Sequence, residues 1–191
     1  DTTVGTGLRW LRVEHAGCST ESVEEAEAVA AQVQVLLGEK WTDQHGVVRP
    51  ITADDVMVVA PYNDQVRLLR RHLASDPSTA GIQVGTVDKF QGREAPIVFF
   101  TMTSSSTDDM PRGPAFLFSR HRLNVAVSRA QCLAYLVCTE TLLDSRARTV
   151  DDMHLIANLC AFVEYADNEL EFSPHAPHDL ENPTIRATRL E

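Results

Sequence analysis

Three short runs, "DDVMVVAP" (54–61), "APIVFFTM" (95–102) and "CLAYLVC" (132–138), have apolar cores with no polar alternation. A strand with one wet face alternates between apolar and polar residues, so a continuously apolar strand needs cover on both faces. Helix-patterned segments stand between these runs. "STESVEEAEAVAAQVQVLLGE" opens on capping residues and early glutamates, repeats Ala and Val on one face, and stops at Gly38; "YNDQVRLLRRHLAS" spaces its leucines as a helix does. Strand and helix patterns that alternate in this way predict an α/β fold, a parallel sheet covered by helices on both faces. "LRWLRVEH" (8–15) adds a half-buried strand and "IQVGTV" (82–87) another. "FLFSRHRLNVAVSRAQ" and "DDMHLIANLCAFVEYA" read as helices, and "KWTDQHGVVRPIT" (40–52) as a polar loop.

The 191 residues fit one domain, and 43% apolar with 23% charged residues marks a globular chain. The expected domain covers residues 8–167, with a disordered flank at 1–7 and a flexible tail at 168–191, whose last stretch holds three prolines and no periodicity. No apolar run reaches the roughly 20 residues of a spanning helix. The first residues lack a signal peptide's basic and apolar regions, so a cytoplasmic location without membrane partners is expected. Cys18, Cys132, Cys138 and Cys160 have no C-x-x-C spacing and read as buried thiols, and no metal ligands are assigned. The aromatics Phe90, Phe99, Phe100, Phe116 and Phe118 read as core packing.

Net charge is −10, the wrong sign for a free-standing nucleic-acid binder, yet Lys89, Arg93, Arg112, Arg120, Arg122 and Arg129 cluster in one segment while acids crowd elsewhere. A basic face on an acidic body is compatible with that distribution. In parallel sheets function collects where strands end, and "APYNDQ", "TVDKFQGRE" and "TSSSTDDMPRGP" follow apolar strands. The only lysines are Lys40 and Lys89, and neither belongs to a G-x-x-x-x-G-K-[ST] loop; no G-x-G-x-x-G follows a strand, and no apolar strand ends in an acidic pair for magnesium. Tight binding of a nucleoside triphosphate by this chain alone is therefore not expected. Arg129, in "LNVAVSRAQ", has the planar permanent charge suited to a developing phosphate charge. Gly92, Arg93 and Glu94 form a turn whose carboxylate can accept from ribose hydroxyls, or pair locally with Arg93.

In order, "VAPYNDQVRLL" (59–69), "VGTVDKFQGREAPIVFF" (84–100) and "RLNVAVSRAQ" (122–131) resemble motifs IV, V and VI of superfamily 1 helicases, in the branch that holds the nonsense-mediated-decay helicase. "STESVEEAEAV" resembles the helix that opens this family's second RecA-like domain, and the resemblance spans roughly residues 8–165. "TSSSTDDMPRGPAFLFSRHRLNVAVSRAQC" resembles more narrowly bacterial fusions of a RecB-like nuclease to such a helicase.

The resemblance implies a RecA-like second domain of the P-loop NTPase type, without the P-loop itself, from a larger motor. ATP and Mg2+ would be held mainly by the first RecA-like domain of the same parent chain. On this pattern Arg129 matches the arginine finger. Glu94, Arg93, Gly92, Tyr62 and Gln65 match nucleotide-flanking positions, with Tyr62 an adenine stacker. Thr86 would contact a single-stranded DNA backbone, RNA being the other candidate strand, and Asp88, Lys89 and Gln91 would couple the two sites. Val66 stands where some relatives carry a second arginine, with Arg67 one residue later, and Gln131 stands where motif VI commonly ends in arginine. The implied function is the second motor domain of an ATP-dependent DNA helicase or translocase, inactive when isolated; the other reading is a catalytically silent RecA-like scaffold.

Overall fold

The computed structural model describes residues 5–90, 92–118, 124 and 128–172. Five strands, β1 (Gly7–Arg12), β4 (Val56–Val59), β5 (Gln83–Gly85), β6 (Ala95–Thr101) and β7 (Ala130–Cys138), form one sheet in the order β1-β7-β6-β4-β5. Every neighbouring pair in it is parallel. Helices α1 (Val23–Leu36) and α2 (Asn63–Ala74) follow β1 and β4; α3 (Pro114–Leu117), α4 (Glu140–Leu143) and α5 (Val150–Phe172) come later.

Two cores explain the continuously apolar strands. Val56, Val58, Ile97, Phe99, Leu133 and Val137 point toward α1 and α2, where Ala26, Val29, Val33, Leu68, Leu69 and Leu73 meet them. The alternate residues Met57, Val59, Val98, Phe100 and Leu136 face Leu117 of α3 and Ile156, Leu159 and Val163 of α5. All four residues of β4 are buried, so a period of two still operates, with both sides apolar. The expected doubly covered parallel sheet is present.

Three expectations about extent change. Residues 40–52, read as a polar loop, contain an antiparallel hairpin of β2 (Lys40–Thr42) and β3 (Val48–Pro50). Its strands are too short to show alternation, and only Trp41 turns inward, 3% exposed beneath the Arg49 guanidinium at 4.6 Å. The Asp43 carboxylate accepts from the backbone N–H groups of His45 and Val47 at 2.8 and 2.9 Å and so shapes the turn. At the ends, β1 begins at Gly7, inside the expected flank, and α5 runs to Phe172, past residue 167 where the domain was expected to end. Residues 1–4 and 173–191 lie outside those described.

Gly85 closes β5 against the side chains of the turn that follows. A Cβ there would lie 2.7 Å from Lys89 Cδ and 3.0 Å from Phe90 Cε2, and the Phe90 ring is 1% exposed. Gly85→Ala is expected to lower unfolding stability by about 1–3 kcal/mol, the usual range for overpacking, readable as a lower urea midpoint.

Candidate functional site

Parallel strands joined by a short connector impose a geometric split on "TVDKFQGRE". The segment leaves the carboxyl end of β5 at Thr86 and must reach the amino end of β6 at Ala95. Thr86 and Glu94 therefore stand at opposite edges of the sheet. Of the predicted residues, Thr86 follows the carboxyl end of β5 and Glu94 precedes the amino end of β6.

At the amino edge, the Ala95 N–H donates to the Arg129 carbonyl at 3.0 Å, and Ala95 is level with Ala130. Glu94 and Arg129 thus precede adjacent strands. Gln131 extends its side-chain amide to the Glu94 carboxylate at 3.4 Å. Gly92, at φ 82°, turns the chain after a short 3-10 turn over Val87–Phe90. The Arg93 N–H then closes onto the Phe90 carbonyl at 3.0 Å, and its guanidinium donates to Gln83 Oε1 at 2.7 Å. Gly92, Arg93 and Glu94 are exposed, whereas Arg129 is half-buried. Its Nε is buried with no hydrogen-bond partner among the described residues. A buried donor left unpaired costs about 1–3 kcal/mol, and a fixed guanidinium in that state is disposed to accept an anionic partner.

The carboxyl edge holds Tyr62, Gln65 and Thr86. Glu94 stands six residues before Phe100, which is level with Val59, so roughly 20 Å of strand separates it from this edge. Tyr62 and Gln65, expected beside the same nucleotide as Glu94 and Arg129, are located here. Gln65 is fully buried; its Oε1 accepts from the Ser22 N–H at 2.8 Å and its Nε2 donates to the Ser22 carbonyl at 3.2 Å. Tyr62 is 7% exposed, its ring stacked on Phe116 at 5.7 Å. Phe116, expected in the core, is only half-buried. Thr86 is half-buried and Asp88 and Lys89 are exposed, while Gln91, Arg120 and Arg122 lie outside the described residues. Val66 is part of the first core, and Arg67 is exposed and paired with Asp64.

A third cluster gave no sequence signal. Glu25, fully buried, accepts from the Thr103 N–H through both oxygens, at 3.0 and 2.9 Å. His15 Nε2 lies 3.1 Å from Glu25 Oε1, and its Nδ1 lies 2.8 Å from Ser105 Oγ. That hydroxyl also accepts from the Cys18 N–H at 2.9 Å. Burial pushes the Glu25 carboxyl above its ordinary range, against the opposing pull of His15 and the Thr103 N–H. Thr103 sits at φ 69°, a strained conformation for a β-branched residue. Ser22 and Glu25 have capping-box spacing, and Ser22 Oγ does accept from the Glu25 N–H at 3.1 Å. Because Gln65 occupies the Ser22 N–H, the glutamate is released to hold Thr103 instead.

Among the described residues no group of His, Cys, Asp or Glu forms a metal cluster, and no helix is long and apolar enough to cross a membrane.

A family model described as an AAA domain, AAA_12, matches residues 11–141. The chain is 30% identical over 154 residues to the DNA-binding protein SMUBP-2 of Rattus norvegicus, covering 74% of this chain and 14% of that protein. It is 39% identical over 79 residues to the DNA polymerase alpha-associated DNA helicase A of Schizosaccharomyces pombe, covering 41% of this chain and 11% of that protein. Against the DNA replication ATP-dependent helicase/nuclease DNA2 of Xenopus laevis it is 34% identical over 89 residues, covering 46% of this chain and 8% of that protein. The chain thus spans between 8% and 14% of the length of these relatives. With the parallel sheet in place and the family match running from β1 to α4, the chain belongs to the AAA domain family AAA_12, a RecA-like α/β domain homologous to superfamily 1 helicases.

Proposed function

We propose that this chain is the second motor domain of an ATP-dependent superfamily 1 DNA helicase or translocase. The observation that carries the proposal is Arg129: a half-buried guanidinium at the amino edge, its backbone tied to β6 and its buried Nε without a partner among the described residues. A neighbouring domain that presents a triphosphate would supply that partner. Arg129 would then neutralise charge on the terminal phosphate, and a finger arginine of this kind accelerates transfer by about 10³–10⁵. Glu94, beside it, would accept hydrogen bonds from ribose hydroxyls, with Gln131 holding the carboxylate and Gly92 and Arg93 shaping the turn.

ATP and Mg2+ fit this division of labour, because the amino edge offers a cation and a hydrogen-bonding carboxylate and no phosphate-cradling loop. When bound, the nucleotide supplies the free energy of phosphate hydrolysis. Tyr62 and Gln65, which the resemblance assigns to the nucleotide, also anchor the start of α2 to Phe116 and to the start of α1. Thr86, Asp88 and Lys89 belong to the strand-binding side, a role the resemblance also assigns to Gln91, and the connector that links them to Glu94 is short enough to transmit closure of the cleft from one edge to the other. The nucleic acid is single-stranded DNA, and the parent chain is a nuclease–helicase.

The test compares the isolated 191-residue chain with its full-length parent. The isolated chain is expected to show no appreciable ATPase, with or without single-stranded DNA, and the parent a DNA-stimulated one. Turnover by the isolated chain would refute the half-site assignment. A parent without turnover, or without a phosphate loop upstream, would leave a RecA-shaped binding scaffold.

A further inference from the structure

At the carboxyl edge, three side chains form a stack that packing alone does not require. Tyr62, which precedes α2, lies against one face of Phe116 with ring centroids 5.7 Å apart and planes 28° from parallel. The Arg112 guanidinium lies over Phe116 at 3.9 Å from its centroid. Arg112 is exposed and Phe116 half-buried, so the stack opens to solvent on the arginine side.

The platform is held firmly from below. The Gly113 N–H donates to the Met110 carbonyl at 3.2 Å and the Phe118 N–H to the Pro114 carbonyl at 2.8 Å. Leu117 and Phe118, both fully buried, pin α3 to the second core. The stack also stands on the same edge as Thr86: the Ala60 N–H donates to the Gly85 carbonyl at 3.0 Å, so Tyr62 and Thr86 leave neighbouring strands close together.

A guanidinium stacked on an aromatic ring occupies the place and spacing of a nucleobase, for both are planar groups that bind the ring's π-face. We propose that Phe116, backed by Tyr62, is a base-stacking position for single-stranded DNA, and that the entering base displaces the Arg112 guanidinium onto a flanking phosphate. The proposal rests on the strand-binding reading of the carboxyl edge and adds to it a contact with bases where the earlier residues reach only the backbone. Stacking of this kind tolerates any sequence, because every base has a π-face. A strand base is favoured over the base of a bound mononucleotide because Glu94 and Arg129 lie at the opposite edge, roughly 20 Å away.

The test measures fluorescence anisotropy of the 191-residue chain with a labelled oligothymidylate of about 12 nucleotides and with an abasic strand of equal length and charge. Wild type is expected to bind the base-bearing strand about tenfold more tightly than the abasic one. Phe116→Leu, which keeps an apolar filler, should reduce that preference to near unity with abasic binding unchanged, and Phe116→Trp should restore it. Arg112→Ala should weaken both strands and flatten the salt dependence, as expected for a lost phosphate contact. If wild type binds both strands and Phe116→Leu keeps the preference, the stacking position is wrong and the strand track stands. If neither strand binds, the track itself is refuted and the stack with it. Displacement of the strand by adenosine monophosphate, lost in Phe116→Leu, would make the platform a mononucleotide site and overturn the assignment.

Discussion

Arg129→Ala, introduced into a full-length parent with both motor domains, is expected to reduce DNA-stimulated ATP turnover by at least about a hundredfold while single-strand binding is retained. The loss should appear in kcat, because a finger's guanidinium acts on charge that develops during transfer and adds little to ground-state binding. Arg129→Lys should recover only a small part of it, since an ammonium keeps the charge and loses the planar fork. The structural alternative makes a different prediction. Were Arg129 merely fastening β6 to β7, its contribution would come from the carbonyl that accepts the Ala95 N–H, which alanine retains. Turnover would then be unchanged, and the motor assignment would fail.

Glu25→Ala is expected to cost about 3–5 kcal/mol of unfolding free energy, the range for removing one member of a buried polar pair. Alanine leaves the Thr103 N–H and one nitrogen of His15 buried without their partner, and it releases the φ 69° backbone that the carboxylate restrains. On a total of about 5–15 kcal/mol, that loss approaches global unfolding. Glu25→Gln should be far milder, since its amide oxygen can accept from Thr103 while its NH2 donates to His15. The two variants also separate in their pH response. Burial raises the Glu25 carboxyl in the folded chain, so its stabilising contribution is complete below the ordinary carboxylate range and falls as pH rises through the elevated folded value. Urea titrations across that interval should show wild type losing stability with rising pH and Glu25→Gln losing less. A Glu25→Gln profile that overlays wild type would mean that the carboxylate stays charged at no cost.

How far the fold could be read in advance depended on whether a residue's partner was near in sequence or in pattern. β4, β6 and β7 were visible because unbroken apolar runs have one physical explanation, and α2 because its leucines repeat at helical spacing. The β2–β3 hairpin was invisible because three-residue strands with one inward side chain carry no period. Arg129 and Glu94 were legible as chemical types, yet their adjacency follows from β6 and β7 being neighbours, which is a property of strand order. The separation of Tyr62 from them was hidden for the same reason. Gln65 and Glu25 look like surface polar residues near helix starts; what buries them is the exchange of capping partners at Ser22, across 43 residues in one case and onto Thr103 across 78 in the other.

The pairing of β1 with β7 has a consequence for biogenesis. Gly7 lies opposite Leu133 and Arg12 opposite Cys138, so the first strand of this sheet in chain order is joined by the last of its described strands. At about 5–20 residues per second, β1 waits roughly 6–25 s for its partner. Throughout that interval its hydrogen-bonding edge and Leu11 are available to any passing strand, which makes nascent-chain protection, more than the depth of the finished core, the condition on which the yield of folded domain depends.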